Sequence, residues 1–392
     1  MNANLWLLAA AQGLFLANNV ALIAINGLVG LRMAPHAWMA TLPVVGYVVG
    51  SALSTGLVVG TQARWGRKKS FQVGLLVAFF ASLLSAFAVM AGQFWLLVAA
   101  TVVAGFYAAN AQLYRFAAAE LCAPDQREKA VSLVMAGGLL GAVIGPNLAS
   151  YTRSAFAVPF VGAYVALAVL ALLSMVLVAG IGFPPLPPRS VQAAAGRSVR
   201  ELLREPNFLV SAIAASASYG VMNLLMAATP LAMHACGMPF DQVALVLEWH
   251  VIGMFAPGFF TGHLIRRFGA LKVMGAGVLL FLLCIAVALS GESLHHYTAA
   301  LFMLGVGWNF LFTGSTTLSL DAYRPEEKNR AQGALNFFVF ATMAVSSFAS
   351  GALVVGQGWR WLNFGSVTPV LVTGIALGWL ARQRVRVAPA LP

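Results

Sequence analysis

Apolar residues run along this chain in long blocks separated by short polar stretches. Twelve such blocks lie near 5–28, 39–61, 71–91, 94–117, 129–150, 157–183, 208–232, 240–262, 273–290, 297–320, 331–354 and 361–381. A helix crossing a hydrocarbon core needs about 20 apolar residues, so each block is long enough for one crossing. The pattern predicts an all-α integral membrane protein with twelve transmembrane helices. The first block has neither a basic leader nor a small-residue cleavage site, so it reads as a retained span rather than a signal peptide. Composition agrees: 60% of residues are hydrophobic and 9% charged, against about a quarter charged in soluble domains.

The net charge of +12 would suit a nucleic-acid binder, but its placement argues for topology instead. With twelve crossings, all but three of the 23 Lys and Arg residues fall on the side of both termini, and only Arg32, Arg153 and Arg360 fall opposite. The positive-inside rule then places both termini in the cytoplasm, with some attraction to anionic membrane lipid. No nucleic-acid partner is expected. Cys122, Cys236 and Cys284 are far apart in sequence, so neither a disulfide framework nor a thiolate zinc site is indicated.

Residues 184–207 combine a proline cluster, a run of small residues and four arginines, a composition that breaks helices and stays solvated. Ser198–Glu205 is a candidate short surface helix. The linker separates an N-terminal six-helix half, 1–183, from a C-terminal half, 208–392. The halves echo each other. Gly60-Thr-Gln-Ala-Arg-Trp-Gly-Arg-Lys-Lys69 after the second span is answered by Gly262-His-Leu-Ile-Arg-Arg-Phe-Gly-Ala-Leu-Lys272 after the eighth, and Glu120–Lys129 by Asp321–Arg330. Two such halves form a transporter layout, with the substrate site expected between them near the midplane.

Over its whole length the chain resembles the major facilitator superfamily. Arg64, Gly66, Arg67 and Lys68 match that family's signature loop, which the resemblance implies is a conformational gate. Ala63 stands where the signature has an aspartate, so the usual acid–helix latch is not expected in its ordinary form. Gly141-Ala-Val-Ile-Gly145-Pro146 is similar to a proline motif of family exporters, but Ala149 and Ser150 replace its trailing glycine pair. Thr101 stands about where proton-coupled drug exporters often carry an arginine. The resemblance also implies a monomer.

Two four-residue spacings carry candidate chemistry: Met222 with Met226, and His250 with Met254. Positions i and i+4 share a helix face, so each pair presents two donors on one side. Thioethers suit Cu(I), and imidazole also binds copper. Met222 lies roughly 20 Å from one edge of its span and His250 roughly 15 Å from the opposite edge. In a core of about 30 Å these depths nearly coincide, so consecutive antiparallel helices can face both pairs towards one volume. Met233, His234, Cys236 and Met238 cluster at the outward end of span 7, either as a metal-collecting vestibule or as incidental polar and sulfur residues. His295 and His296 read as solvated loop histidines.

These pairs resemble the MxxxM and HxxxM motifs of CcoA-type copper importers, a branch that serves copper acquisition for cbb3-type cytochrome c oxidase. The similarity extends to Gly307-Trp308-Asn309-Phe310 and to Asp321–Arg330, features also shared with riboflavin-type carriers. Glu248 is the one acid expected at membrane depth. A carboxylate there is costly and marks a pathway, a partner or a proton step, so it is a candidate for proton coupling or for a packing hydrogen bond. Asn18, Asn19, Asn110, Gln112, Asn223 and Asn309 are polar positions within spans, suited to cavity lining or to interhelical hydrogen bonds.

The expectation is a secondary transporter of the bacterial inner membrane that imports copper as Cu(I) by alternating access. Copper is the substrate, no cofactor is required, and copper-handling proteins are candidate partners. The rivals are a carrier or exporter of a small organic solute, and a copper-binding sensor that does not transport. No GxxxxGK[ST] motif is present, which argues against ATP-driven pumping. No nucleophile–base pair or carboxylate dyad at a common depth indicates an enzyme.

Overall fold

The computed structural model describes residues 2–36, 39, 42–185 and 196–387, and every regular element among them is helical. The helices are α1 (Ala3–Met33), α2 (Leu42–Met90), α3 (Phe94–Ala111), α4 (Tyr114–Glu120), α5 (Arg127–Ala136), α6 (Gly138–Thr152) and α7 (Val161–Ala179). They continue as α8 (Val199–Leu202), α9 (Pro206–Ala235), α10 (Phe240–Phe255), α11 (Gly258–Phe268), α12 (Ala270–Ser290), α13 (Leu294–Leu320) and α14 (Lys328–Val387). Nine stretches among the described residues are long and apolar enough to cross a membrane. The remaining crossings are accounted for by local breaks. Gly66 interrupts α2 and Gly358 interrupts α14, each with a positive φ, so both helices hold two spans. Pro257, which has no N–H to donate, separates α10 from α11.

Chain contacts define two compact units, Met1–Ala194 with Gln332–Phe340, and Ala195–Ala331 with Ala341–Pro392. Within the first, Gly137, Gly141 and Gly145 recur every fourth residue and meet Ala9, Gly13 and Ala17 of α1, which also recur every fourth. A Cβ at Gly137 would lie 2.1 Å from the Ala9 carbonyl oxygen, and one at Gly145 2.8 Å from that of Ala17. Small residues let backbones approach this closely where water supplies no hydrophobic drive between helices. The glycines of the exporter-like motif are therefore packing residues here. Gly50 and Gly105 perform the same service between α2 and α3.

The second unit is organised around α13. Gly305 brings it against α10, while Gly307 and Gly314 bring it against α12. The sequence echo between the halves has a structural counterpart. Gly66 (φ 79) and Gly269 (φ 85) occupy matching loops with left-handed backbone, where a side chain would be strained. Pro124–Gln126 and Pro325–Glu327 form matching 3-10 turns, each started by a proline that lacks the N–H the first turn leaves unpaired.

The last part of the linker is fastened to the second of these turns. Ser198 and Glu201 form a reciprocal capping box on α8, and the Leu202 side chain is fully buried. Glu327, also buried, accepts from the Arg197 backbone N–H at 2.9 Å, from Arg197 Nε at 2.9 Å and Nη2 at 2.7 Å, and from the Arg324 N–H at 3.0 Å. These donors, the Arg197 guanidinium first among them, hold its carboxyl down at about 2 against an ordinary 4.5. A carboxylate with a depressed folded-state pKa contributes stability above its unfolded value, and that contribution is lost as pH falls through the folded one. The stability difference between wild type and Glu327→Gln is therefore expected to be constant above about pH 5 and to shrink towards zero between 4.5 and 2, measured by thermal unfolding in detergent at fixed salt. A difference independent of pH over that range would refute the assignment.

Candidate functional site

The candidate donors all belong to the second unit, and α13 acts as a ruler for their depth. His250 is fully buried, and its Nδ1 lies 2.7 Å from the Leu301 carbonyl oxygen. Four residues on, Met254 presents its backbone N–H where Gly305 leaves room and its carbonyl to Asn309 Nδ2 at 2.7 Å. From the other side, the Tyr219 ring of α9 meets Trp308 at 5.4 Å and Phe312 at 5.0 Å. At ~1.5 Å per residue, Met222 lies ~4.5 Å and Met226 ~10 Å beyond Tyr219, opposite about positions 307 and 303 of α13. All four side chains thus fall in one layer ~10 Å thick. Met222 and Met254 are buried, and Met226 is half-buried.

The layer is shared, but its assembly differs from the sequence expectation. Helices α9 and α10 pack far more extensively on α13 than on each other, so what the methionine pair and the histidine pair share is α13 as a neighbour, not each other's helix. Consecutive helices need not be principal neighbours in a bundle, and sequence adjacency does not report packing.

His250 has one property that periodicity could not reveal. A carbonyl only accepts, so Nδ1 carries the proton and Nε2 keeps a bare lone pair. That Nε2 is buried and finds no hydrogen-bond partner among the described residues. Metal-binding histidines show this arrangement, with one nitrogen pinned by a backbone carbonyl and the other free. No group of three or more His, Cys, Asp or Glu that could hold a metal occurs among the described residues, so a metal here would depend on thioethers.

The other candidate residues divide. Met233 is fully buried, so it faces protein rather than the mouth of a vestibule. The Cys236 thiol is exposed, 3.5 Å from Glu292 Oε2 and 3.7 Å from the Tyr297 hydroxyl. Partial burial raises its pKa, against the thiolate that metal capture favours. Met238 is half-buried, and the His234 side chain lies outside those described. Glu248, expected as a buried carboxylate, is exposed beside Leu245 and Trp249 on the face of α10 away from His250.

In the signature loop, Arg64 and Lys68 are exposed and Arg67 is buried. Arg67 donates to Glu120 through Nη2 at 2.6 Å and Nε at 3.3 Å, and it also donates to Gln62 and Gln332. Where the family aspartate is absent at Ala63, its neighbour Gln62 supplies an acceptor, and Gln332 ties the loop to the start of α14. Sequence reading overlooked Gln332. It also overlooked the aromatic cluster in which Trp308 stacks on Phe312 at 4.9 Å, with the rings of Tyr219 and Phe255 edge-on. The Trp308 indole N–H is buried without a partner among the described residues. The run Gly307-Trp308-Asn309-Phe310 marked the place but not the donor.

The sequence profile of the Major Facilitator Superfamily matches residues 5–246 and 211–391. The chain belongs to this superfamily. The riboflavin transporter RfnT of Brucella anthropi is 38% identical over 94% of both chains. YddS of Bacillus subtilis, an uncharacterized transporter of the same type, is 24% identical over 92% of this chain and 87% of its own. Among solved structures, the human organic anion transporter MFSD10 superposes with TM-score 0.76 at 13% identity, covering 96% of this chain and all of that one. A bacterial homologue of the iron transporter ferroportin gives 0.74 at 15% identity, covering 97% of this chain and all of its own. At such identities the two structures establish the fold. This major facilitator is a multi-pass membrane transporter and not an enzyme.

Proposed function

We propose that this major facilitator carries a small organic solute by alternating access, and that a flavin is the first substrate to test. The observation that carries the reading is its 38% identity with the Brucella anthropi riboflavin transporter over 94% of both chains. The Trp308 cluster supports it, because a planar heteroaromatic solute is recognised by aromatic contact together with donors such as the indole N–H, which has no partner among the described residues. In this reading the protein sits in the bacterial inner membrane with both termini cytoplasmic, as its charge placement favours. Exposed Glu248 is too costly to face hydrocarbon, so its face of α10 lines a water-filled path.

Copper import, supplying cbb3-type oxidase, is the second reading, and one specific observation favours it. His250 Nε2 is buried with no partner among the described residues, and helical rise sets Met222, Met226 and Met254 at a similar depth. The two readings separate in one experiment: uptake of radiolabelled riboflavin and of radioactive copper, side by side, at matched membrane levels. The first reading expects riboflavin accumulation that survives Met222→Ala/His250→Ala. It also expects KM to rise roughly fivefold in Trp308→Phe, the effect of one lost hydrogen bond. Copper accumulation abolished by the double variant, with no riboflavin uptake, would establish the second reading instead. Accumulation of neither probe would exclude both riboflavin and copper as the solute.

A further inference from the structure

Gly66 and Gly269, both with left-handed backbone, set the two halves of the sequence in register. Aligned on them, the helix before each glycine buries the same positions: Thr55, Val58 and Gln62 in α2, and Gly258, Thr261 and Ile265 in α11. The exposed face matches too, but its chemistry does not. Phe259, Phe260, His263, Arg266 and Arg267 stand where α2 has Gly56, Leu57, Gly60, Ala63 and Arg64. Packing does not account for the difference, since a Cβ at Gly56 or Gly60 would meet nothing within 4 Å. Charge is handled differently as well. The first loop buries Arg67 against Glu120, whereas Ala270 stands at that place in the second.

The exposed residues of α11 form a stripe, which Pro257 separates from the face of α10 that carries Glu248. Positions seven apart fall almost on one line of a helix, so each arginine follows one ring at ~10 Å. Side chains lean back towards the N-terminal end of their helix, which brings both guanidinium groups towards the rings. Lys272 is exposed just beyond. Arg266, Arg267 and Lys272 make no ion pair among the described residues, and no Asp or Glu occurs between Glu248 and Glu292. We infer that the stripe is a site for one anionic glycerophospholipid, its phosphate on Arg266 and Arg267 and an acyl chain along Phe259 and Phe260. The rings decide for a lipid over a free phosphate. Rings followed by cations repeat the order of acyl chain and headgroup in a leaflet, and a free phosphate has no use for the rings. The inference is independent of which solute is carried.

The experiment uses the full-length protein, stripped of lipid in a neutral detergent, and follows the first bound lipid by native mass spectrometry. The probe is dioleoylphosphatidylglycerol, with dioleoylphosphatidylcholine, whose ammonium cancels its phosphate, as the neutral control. Phosphatidylglycerol is expected to bind at least fivefold more tightly than phosphatidylcholine. Arg266→Ala/Arg267→Ala is expected to weaken its binding about thirtyfold, the effect of removing two basic residues from an anionic surface. Phe259→Ala/Phe260→Ala keeps every charge and is expected to weaken it at least fivefold. Arg64→Ala/Lys68→Ala, which removes two exposed cations from the first loop, is expected to change it less than about twofold. All these side chains are exposed, so unfolding midpoints in lipid-free detergent are expected to match wild type. Equal loss in the first-loop variant, or equal affinity for the two lipids, would show general surface attraction and no site. No loss in the phenylalanine variant, or full displacement by an equal concentration of inorganic phosphate, would make it a site for a free anion. Any of these results overturns the proposal.

Discussion

Gly305→Val is expected to abolish uptake of whichever probe the wild type accumulates and to destabilise the protein by about 3 kcal/mol or more. The reason is geometric. A Cβ at Gly305 would sit 2.4 Å from the His250 carbonyl oxygen and 2.8 Å from the Met254 N–H nitrogen. Both are backbone atoms of α10 and cannot swing aside as a side-chain tip can. Helix α10 must therefore move away from α13, and the layer containing His250, Met254 and Trp308 comes apart with it. Gly305→Ala already introduces the clash and should show an intermediate loss. Gly275→Ala is the control, because nothing lies within 4 Å of its added Cβ, and alanine is favoured over glycine in a helix. Thermal unfolding in detergent and uptake, measured on all three variants, decide the matter. Wild-type behaviour of Gly305→Val would mean that the α10–α13 contact does not shape the site.

The second large effect is expected at Arg67. Its guanidinium neutralises Glu120, and the two side chains are 5% and 18% exposed. Arg67→Ala leaves that carboxylate largely buried without its cation, and breaking such a pair costs about 3 kcal/mol. Arg67→Lys keeps the charge but cannot reproduce a fork that reaches Glu120 through two nitrogens while also serving Gln62 and Gln332, so it should recover less than half of the loss. Glu120→Gln alone should cost less than Arg67→Ala, because Gln62 and Gln332 continue to accept from the arginine. Unfolding midpoints of the three variants test this order. Full rescue by lysine would reduce the interaction to simple charge neutralisation.

Much of the architecture was legible in the chain, for a definite reason. A hydrocarbon solvent forces every span to satisfy its own backbone hydrogen bonds, so about 20 apolar residues mean a helix almost regardless of neighbours. The joints were legible too. Gly66 and Gly269 recur at matching places, and their positive φ explains why glycine is needed there. The short helix expected over Ser198–Glu205 is present as Val199–Leu202, and the structure adds its capping box of Ser198 and Glu201. The candidate site was only half legible. Spacing placed two donor pairs at similar depths, but it gave no account of what each helix packs against. It could not show that the two helices that carry them pack chiefly on α13 rather than on each other.

Sequence alone thus determined the number of crossings, the repeat of the halves and the family. All of these are carried by local composition or by motifs read along one helix or loop. Tertiary structure decided which faces meet and which polar atoms are left over. Met233 proved buried and Glu248 exposed although both lie in apolar stretches, because periodicity gives a face but not what stands opposite. The ties from Arg67 to Gln332 and from Arg197 to Glu327 join residues 265 and 130 positions apart. The bare Nε2 of His250 exists only because a carbonyl of another helix claims Nδ1. Pairings of this kind depend on how helices pack, and helix packing in a membrane rests on close fits between small residues that hydropathy does not register.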